Sequence, residues 1–222
     1  MHSIAVYGGT FDPIHYGHIQ TSRTIQGLFQ FDTYLFLPCK LPTLKAPAKA
    51  SNQQRITMLQ LALKKDPQFS IDLREVKRST PSYMVETLQS FREEFKNSAI
   101  TLILGRDAFY SLPCWHQWEK IITLAHLLVI ERNTPNIKPS REIKNLLKHY
   151  EVNEHGILTK KPFGAIFQIK AGDYPVSSTQ IRELIKQENA PDGINKNHLH
   201  TLTTQQLPEE VYHYIMQQGL YQ

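Results

Sequence analysis

His15 and His18 stand three residues apart, with Gly17 between them, where a helical pattern begins after a glycine-rich loop. Residues at i and i+3 share one face of a helix, so both imidazoles can point toward one anion at the start of that helix. An imidazole donates hydrogen bonds to phosphoryl oxygens and adds positive charge when it is protonated. The spacing favours a phosphate site, with a metal site and two ordinary surface histidines as the alternatives at this point.

Gly8, Gly9 and Thr10 come before these histidines and directly follow the short apolar run 4–7. A junction of strand, loop and helix presents unpaired N–H groups and the positive end of the helix dipole to an anion. Glycine lets the backbone come close to that anion. The sequence contains neither the GxxxxGK[ST] pattern of a P-loop nor a complete GxGxxG pattern, so the loop predicts an anion site of another type.

A second cluster of hydroxyl groups stands near the other end of the chain, in the stretch VSSTQIR at residues 176–182. Ser178 and Thr179 begin a segment of helical spacing that runs to about residue 187, and Arg182 follows one turn later. Capping hydroxyls, free N–H groups and a guanidinium can converge on one anion. Serine also caps many helices that bind nothing, so a purely structural cap is the alternative.

Short apolar runs alternate with segments of helical spacing along the chain. Runs of strand length, which indicate buried parallel strands, occupy residues 4–7, 33–37, 100–104, 127–130 and 165–169. Helical spacing occupies residues 18–28, 51–65 and 82–95, and a last helix lies between Pro208 and Gly219. The alternation predicts one α/β domain over residues 1–222, with a doubly wound, mostly parallel, Rossmann-like sheet and helices on both faces. The polar, lysine-rich residues 133–162 predict a surface insertion within it.

The composition excludes several classes of protein. We expect no secretory signal, because an apolar run of strand length begins at residue 4, and no apolar stretch reaches the roughly 20 residues that cross a bilayer. Cys39 and Cys114 have no CxxC spacing, so we expect free thiols and a cytoplasmic protein. The formal net charge of +5 comes from scattered basic residues, and we expect neither nucleic acid nor a membrane as a partner. His198 and His200 lack a third ligand nearby, and we expect a polar loop there.

The stretch GGTFDP at residues 8–13, followed by His15-x-Gly17-His18, resembles the signature of the (H/T)xGH nucleotidyltransferase superfamily. VSSTQIR resembles the ISSTxxR signature of that superfamily, with valine in place of isoleucine. Within the superfamily, the chain resembles the bacterial nicotinate mononucleotide adenylyltransferases from about residue 4 to 220, apart from the polar insertion. The segments that carry this closer resemblance are STPSY at 79–83, GRD at 105–107, PCW at 113–115 and the closing QQGLYQ.

The resemblance implies transfer of AMP from ATP to nicotinate mononucleotide, which gives nicotinate adenine dinucleotide and pyrophosphate in NAD biosynthesis. Mg²⁺ is the implied cofactor, because it screens the triphosphate of ATP, and Asp107 is the carboxylate best placed to reach the metal or the ribose. The implied catalytic residues are His15, His18 and Arg182. The implied ATP-binding residues are Gly8, Gly9, Thr10, Phe11, Lys45, Gly105, Asp107, Ser178 and Thr179. Trp115 is expected to stack on the pyridine ring, with Tyr83 and Met84 beside it.

Three positions depart from the family pattern. Leu44 stands where the family often has a histidine, Met84 where it has a threonine, and Arg106 where it has a smaller residue. The hydroxyl missing at residue 84 leaves open whether the acid or the amide mononucleotide is the preferred acceptor. Two alternatives from other classes are a catalytically silent nucleotide-binding regulator and a nucleic-acid module that uses the basic charge. The sequence predicts no oligomeric state.

Overall fold

The computed structural model describes residues 1–41, 44, 46–131, 138–172, 174–190 and 196–222. The strands of the described part are β1 (Ser3–Gly9), β2 (Thr33–Pro38), β3 (Phe69–Ile71), β4 (Ala99–Gly105), β5 (His126–Ile130) and β6 (Ile166–Ile169). They form one sheet in the order β3-β2-β1-β4-β5-β6, and all five neighbouring pairs are parallel. Five of the strands agree with the predicted ones, and β3 escapes prediction because three residues are too few to show a pattern.

Helices cover both faces of the sheet, as predicted for a doubly wound domain. They are α1 (Tyr16–Phe29), α2 (Asn52–Leu63), α3 (Arg74–Lys77), α4 (Met84–Glu94), α5 (Arg106–Tyr110), α6 (Ile121–Leu124), α7 (Arg141–Tyr150), α8 (Ile157–Lys160), α9 (Ser178–Glu188), α10 (Lys196–Gln206) and α11 (Glu209–Gln217). The described ranges also contain two short 3-10 turns, at Leu112–Cys114 and Trp118–Lys120. None of the helices in the described ranges is both long and apolar enough to span a membrane.

Alternate residues of β1 face two apolar layers. Ala5 and Tyr7 face a layer that includes buried side chains of α1, α2, α9 and α11. Ile4 and Val6 face a second layer, which includes buried side chains of α4, α5, α6 and α7. Because both faces of the strand are covered, β1 reads as a continuous apolar run and not as an alternating one.

The strand order changes direction between β1 and β4, which lie side by side at the centre of the sheet. The helix after β1 packs on one face of the sheet and the helix after β4 packs on the other. A crevice therefore opens beyond Gly9 and Gly105, where these two strands end. Open parallel sheets bind their ligands at such a switch point.

The predicted surface insertion at 133–162 needs a correction wherever the structure describes it, from residue 138 onward. The polar stretch REIKNLLKHY forms the amphipathic helix α7, and its Ile143 and Leu146 side chains are buried in the second apolar layer. Leu158 of α8 is also buried, and its carbonyl oxygen accepts a hydrogen bond from the Thr101 hydroxyl at 3.3 Å. The polar composition comes from the solvent face of α7, so this segment contributes to the core as well as to the surface.

His198 and His200 lie on α10 and not in the loop that we expected. His200 Nδ1 lies 3.1 Å from a Glu188 carboxylate oxygen and 2.8 Å from the Tyr212 hydroxyl. These contacts join α10 to α9 and α11. In the ranges that the structure describes, no group of three histidine, cysteine or acidic side chains is arranged to hold a metal ion.

Candidate active site

A cleft of about 580 Å³ lies where β1 and β4 end. It brings together most of the residues that the two sequence motifs single out, although the motifs lie more than 150 residues apart. The predicted residues that line it are Gly8, Gly9, Thr10, Phe11, His15, His18, Gly105, Asp107, Ser178, Thr179 and Arg182. We call this cavity the motif cleft.

His15 and His18 lie against each other at the start of α1. Their ring centroids are 3.7 Å apart, so the two imidazoles share one face of the helix as the spacing predicted. The backbone N–H of His15 donates to His18 Nδ1 at 3.3 Å. Because Nδ1 is an acceptor there, the neutral form of His18 carries its proton on Nε2. His18 can therefore donate a hydrogen bond from Nε2 without being charged.

Gly17 sits where the two motifs touch. A Cβ atom at this position would lie 2.6 Å from Val176 Cγ1 and 3.0 Å from the His15 ring. Carbon atoms do not approach to 2.6 Å, so a side chain at residue 17 would require Val176, the His15 ring or one of the two segments to shift. The glycine is required for the close contact between the two motifs.

Hydrogen bonds tie the second motif to the first. Ser178 Oγ donates to the Pro13 carbonyl oxygen at 2.9 Å, and Arg182 Nη1 donates to the Asp12 carbonyl oxygen at 2.7 Å. Arg182 Nη2 also donates to Thr179 Oγ1 at 3.2 Å. The three side chains of this motif that were predicted to hold phosphate therefore all have intramolecular partners, and two of them, Ser178 and Arg182, position the loop at 8–13.

Asp12 is a residue of the site that sequence reasoning missed. Its buried carboxylate accepts hydrogen bonds from the backbone N–H groups of Lys49 (2.7 Å) and Ala50 (3.1 Å). It also accepts one from the Tyr221 hydroxyl at 2.7 Å, and burial together with this carboxylate raises the pKa of Tyr221. Asp12 thus fixes three separate segments of the chain around the motif cleft. The GGTFDP motif contains Asp12, but no local pattern reveals its role, because its partners are far away in the sequence.

Arg55 was also missed, because it looks like one polar residue on an amphipathic helix. Its side chain is fully buried beneath the loop at 8–11. Nη1 donates to the Thr10 carbonyl oxygen at 2.6 Å, and Nη2 donates to the Cys39 carbonyl oxygen at 2.7 Å and to Asn52 Oδ1 at 2.6 Å. The guanidinium therefore joins α2 to the ends of β1 and β2.

A second cavity of about 400 Å³ continues from the motif cleft, and we call it the aromatic pocket. The two cavities share one wall. The shared residues are Gly8, Gly9, Thr10, Gly105, Asp107 and Ala108. The aromatic pocket contains all three residues that were predicted to contact the acceptor, namely Tyr83, Met84 and Trp115.

The walls of the aromatic pocket suit a flat ring. Leu37, Met84 and Ile103 supply apolar surface, and the Tyr83 ring packs against the His116 ring in a tilted arrangement, with the ring centroids 4.6 Å apart. Flat heteroaromatic ligands gain from such aromatic surfaces. Leu44 also lines this pocket, whereas Lys45, a predicted phosphate ligand, lies outside the described residues.

One buried carboxyl group, that of Glu75, lines the aromatic pocket and was not predicted. Only 2% of the residue is exposed, and it accepts a hydrogen bond from the Thr87 hydroxyl at 2.7 Å. Burial raises the pKa of Glu75, while hydrogen bonds from Thr87 and Ser82 oppose that shift. Glu75 therefore places a titratable group next to the segment that carries Tyr83 and Met84.

Asp107 lies in the wall between the two cavities. It stands in the first turn of α5, directly after β4, and is solvent-exposed. A Cβ atom on Gly105 would lie 2.7 Å from Asp107 Oδ1, so the carboxylate folds back over the end of β4. A carboxylate at this point is within reach of ligands in either cavity.

Comparison with known proteins assigns the chain to a family. Residues 6–184 match the family model described as cytidylyltransferase-like. A protein of Legionella pneumophila (strain Corby) that is named nicotinate-nucleotide adenylyltransferase is 51% identical over 100% of both chains. A Methylococcus capsulatus protein of the same name is 35% identical over 98% of this chain and 99% of its own.

Two solved structures of a Plasmodium falciparum nicotinic acid mononucleotide adenylyltransferase share the fold. One, complexed with APC, has a TM-score of 0.70 at 20% identity, and the other, complexed with NaAD, has a TM-score of 0.72 at 19% identity. Each alignment covers 100% of this chain and 98% of the other. At this level of identity the likeness concerns the architecture alone.

The chain belongs to the cytidylyltransferase-like nucleotidyltransferases and, within them, to the nicotinate-nucleotide adenylyltransferase family. It is a transferase of NAD biosynthesis that adenylylates nicotinate mononucleotide. The resemblance found in the sequence is confirmed, and so are the α/β fold class and the enzyme class.

Proposed function

We propose that the motif cleft binds ATP, that the aromatic pocket binds nicotinate mononucleotide, and that the reacting groups meet at the wall between them. The observation that carries this assignment is the shared wall, which consists of the ends of β1 and β4 and the start of α5. An oxygen of the acceptor 5′-phosphate forms a bond to the α-phosphorus of ATP while the bond to the pyrophosphate oxygen breaks. The bonding electrons leave with pyrophosphate, and no protein nucleophile takes part.

The catalytic role of the protein in this proposal is alignment and charge stabilisation. Two polyanions must be held in line, and hydrogen-bond donors must face the oxygens on which negative charge increases. His18 offers Nε2–H, His15 lies next to it, and the loop at 8–11 lines the same cleft. The start of α1 adds the positive end of a helix dipole.

The second motif supplies a separate end of the ATP site. Ser177 caps α9 by accepting a hydrogen bond from the Gln180 N–H at 3.2 Å, and the N-terminus of α9 faces the motif cleft beside Ser178 and Thr179. We assign the β and γ phosphates to this helix start, with Arg182 alongside. Because Asp12 and Pro13 hold Arg182 and Ser178, both triphosphate-binding ends belong to one hydrogen-bonded unit.

We propose that Mg²⁺ enters with ATP as part of the substrate complex. Mg²⁺ retains several waters and usually takes one or two carboxylates together with phosphate oxygens. Asp107 can supply the carboxylate, since it is exposed on the shared wall. The free thiols of Cys39 and Cys114 are consistent with our proposal that the protein acts in the cytoplasm.

The test is pyrophosphate release with ATP and Mg²⁺, measured side by side with nicotinate mononucleotide and nicotinamide mononucleotide. We expect release with the acid and a strong preference for it over the amide. A preference for the amide would retain the chemistry but reassign the acceptor, in agreement with the hydroxyl lost at Met84. Release with neither acceptor would overturn the assignment and favour a silent nucleotide-binding regulator.

A further inference from the structure

Arg55 is a buried cation directly behind the loop that forms the wall between the two cavities. Its three hydrogen-bond acceptors are neutral oxygens: two backbone carbonyls and one amide. In the ranges that the structure describes, Arg55 forms no ion pair within 4.0 Å of a carboxylate oxygen. Burying a charge without an opposite charge is costly, so its position calls for an explanation beyond packing.

The carboxylates near this part of the molecule have other partners. Asp12 accepts two backbone N–H groups and the Tyr221 hydroxyl, and it lies 3.9 Å from Arg182. Glu75 accepts its hydrogen bond from Thr87. The charge of Arg55 is therefore not cancelled at contact distance, and its field extends toward the adjacent motif cleft.

The loop that Arg55 holds has a costly conformation. Phe11 has a φ angle of +49°, in the left-handed region that bulky residues rarely adopt. The Phe11 ring also lies over Gly9, where a Cβ atom would be 2.9 Å from it. The hydrogen bond from Arg55 to the carbonyl oxygen of Thr10 acts on the residue between these two, so it can stabilise this turn against relaxation.

We propose that Arg55 is a positioning residue for adenylyl transfer. It fixes the Thr10 carbonyl so that the loop at 8–11 keeps its turn, and it supplies a buried positive charge that the triphosphate neutralises when it binds. A charge-assisted hydrogen bond to the carbonyl also polarises the peptide unit between Thr10 and Phe11. This inference rests on the proposed function, because it requires ATP in the motif cleft.

The decisive variant is N52D, which changes one atom type beside Arg55. The Asn52 amide oxygen lies 2.6 Å from Nη2, so an aspartate would keep the acceptor and give Arg55 an opposite charge. An aspartate in the first turn of α2 also favours the helix dipole, so we expect the fold to be as stable or more stable. The cancelled charge should raise the KM for ATP about tenfold and leave the KM for the acceptor unchanged.

Two substitutions of Arg55 separate its charge from its geometry. R55K keeps the charge but cannot hold two carbonyls with one planar fork, so we expect a lower kcat with a smaller change in the KM for ATP. R55Q removes the charge and should change both parameters. We therefore expect the KM for ATP of R55K to lie between that of the wild type and that of R55Q.

Arg92 provides a matched control outside both cavities. Like Arg55, it holds carbonyl oxygens, those of Ser98, Leu124 and Pro162, at 2.7–3.0 Å. R92Q should lower the melting temperature and leave the KM for ATP unchanged.

The outcomes distinguish this inference from the proposed function. If the wild-type chain turns over ATP and N52D has the same KM for ATP, Arg55 is a structural brace only and the inference is wrong. If the wild-type chain neither binds nor turns over ATP, both proposals are wrong. A stable N52D protein with weakened ATP binding supports the assignment, since a merely structural role would not change that parameter.

Discussion

The motif cleft and the aromatic pocket share a wall, yet they are built in different ways. The motif cleft joins two motifs, each contiguous in the sequence, through side-chain hydrogen bonds to backbone carbonyl oxygens and through a glycine contact, so its parts depend on one another. The aromatic pocket collects single side chains such as Glu75, Tyr83 and Trp115 from separate elements. We infer that the motif cleft tolerates little change, while the aromatic pocket can alter its preference by single substitutions.

The largest expected effect is on the motif cleft. H18A removes the Nε2 donor, and we expect kcat to fall by about a thousandfold because a positioned donor to a developing charge is lost. Pyrophosphate release measures the rate, and circular dichroism checks that the fold is intact. H200A, on the distant helix α10, should keep full activity. A folded H18A protein with an undiminished rate would remove His18 from the mechanism.

A second substitution separates the two motifs. G17A places a methyl group 2.6 Å from Val176 Cγ1, so we expect a loss of about 1–3 kcal/mol in unfolding free energy together with weaker ATP binding. G27A, on the same helix, meets no atom within 4 Å and should stabilise the protein by about 1 kcal/mol. Denaturant unfolding and the KM for ATP test both. If G17A and G27A have the same unfolding free energy and the same KM for ATP, the contact between the motifs is unimportant.

A smaller effect is expected in the aromatic pocket. E75Q keeps an oxygen acceptor for Thr87 but removes the negative charge beside the proposed pyridine site. The preference for the acid over the amide mononucleotide should rise about threefold, because one repulsion disappears. E94Q, an exposed carboxylate on α4, is the control and should leave the preference unchanged. An E75Q preference equal to that of the wild type would exclude Glu75 from acceptor selection.

The smallest expected effect concerns the pH dependence of stability, and it comes from a residue outside both cavities. His126 is fully buried, with Nε2 at 2.7 Å from the Lys161 carbonyl oxygen and Nδ1 accepting from the Ala165 N–H at 3.1 Å, and burial lowers its pKa. The unfolded chain therefore takes up a proton at a higher pH than the native protein does. The contribution of neutral His126 to the free energy of unfolding is fully present above a pH of about 6.5 and is lost as the pH falls below that value.

Urea unfolding at pH 7.5 and 5.5 tests this prediction, and H126Q should reduce the difference in unfolding free energy between the two pH values. The same difference in the wild type and in H126Q would contradict the assignment.

The strands and the motif cleft could be predicted because their signals are local. Apolar runs mark β1 and β4, and the histidine and serine motifs are contiguous in the sequence. The roles of Asp12, Arg55 and Glu75 could not be predicted, since polar residues become buried only through partners that the fold brings in from elsewhere. The bond between Asp12 and Tyr221 spans 209 residues. The role of residues 141–160 was missed because the exposed face of α7 dominates its composition.

The contact between Gly17 and Val176 couples the two ends of the chain sterically. A side chain at one position requires less volume at the other, and two residues 159 positions apart in the sequence are thus constrained as a pair. A substitution that enlarges residue 17 is therefore expected to need a compensating loss of volume at residue 176, so the two positions behave as one steric unit.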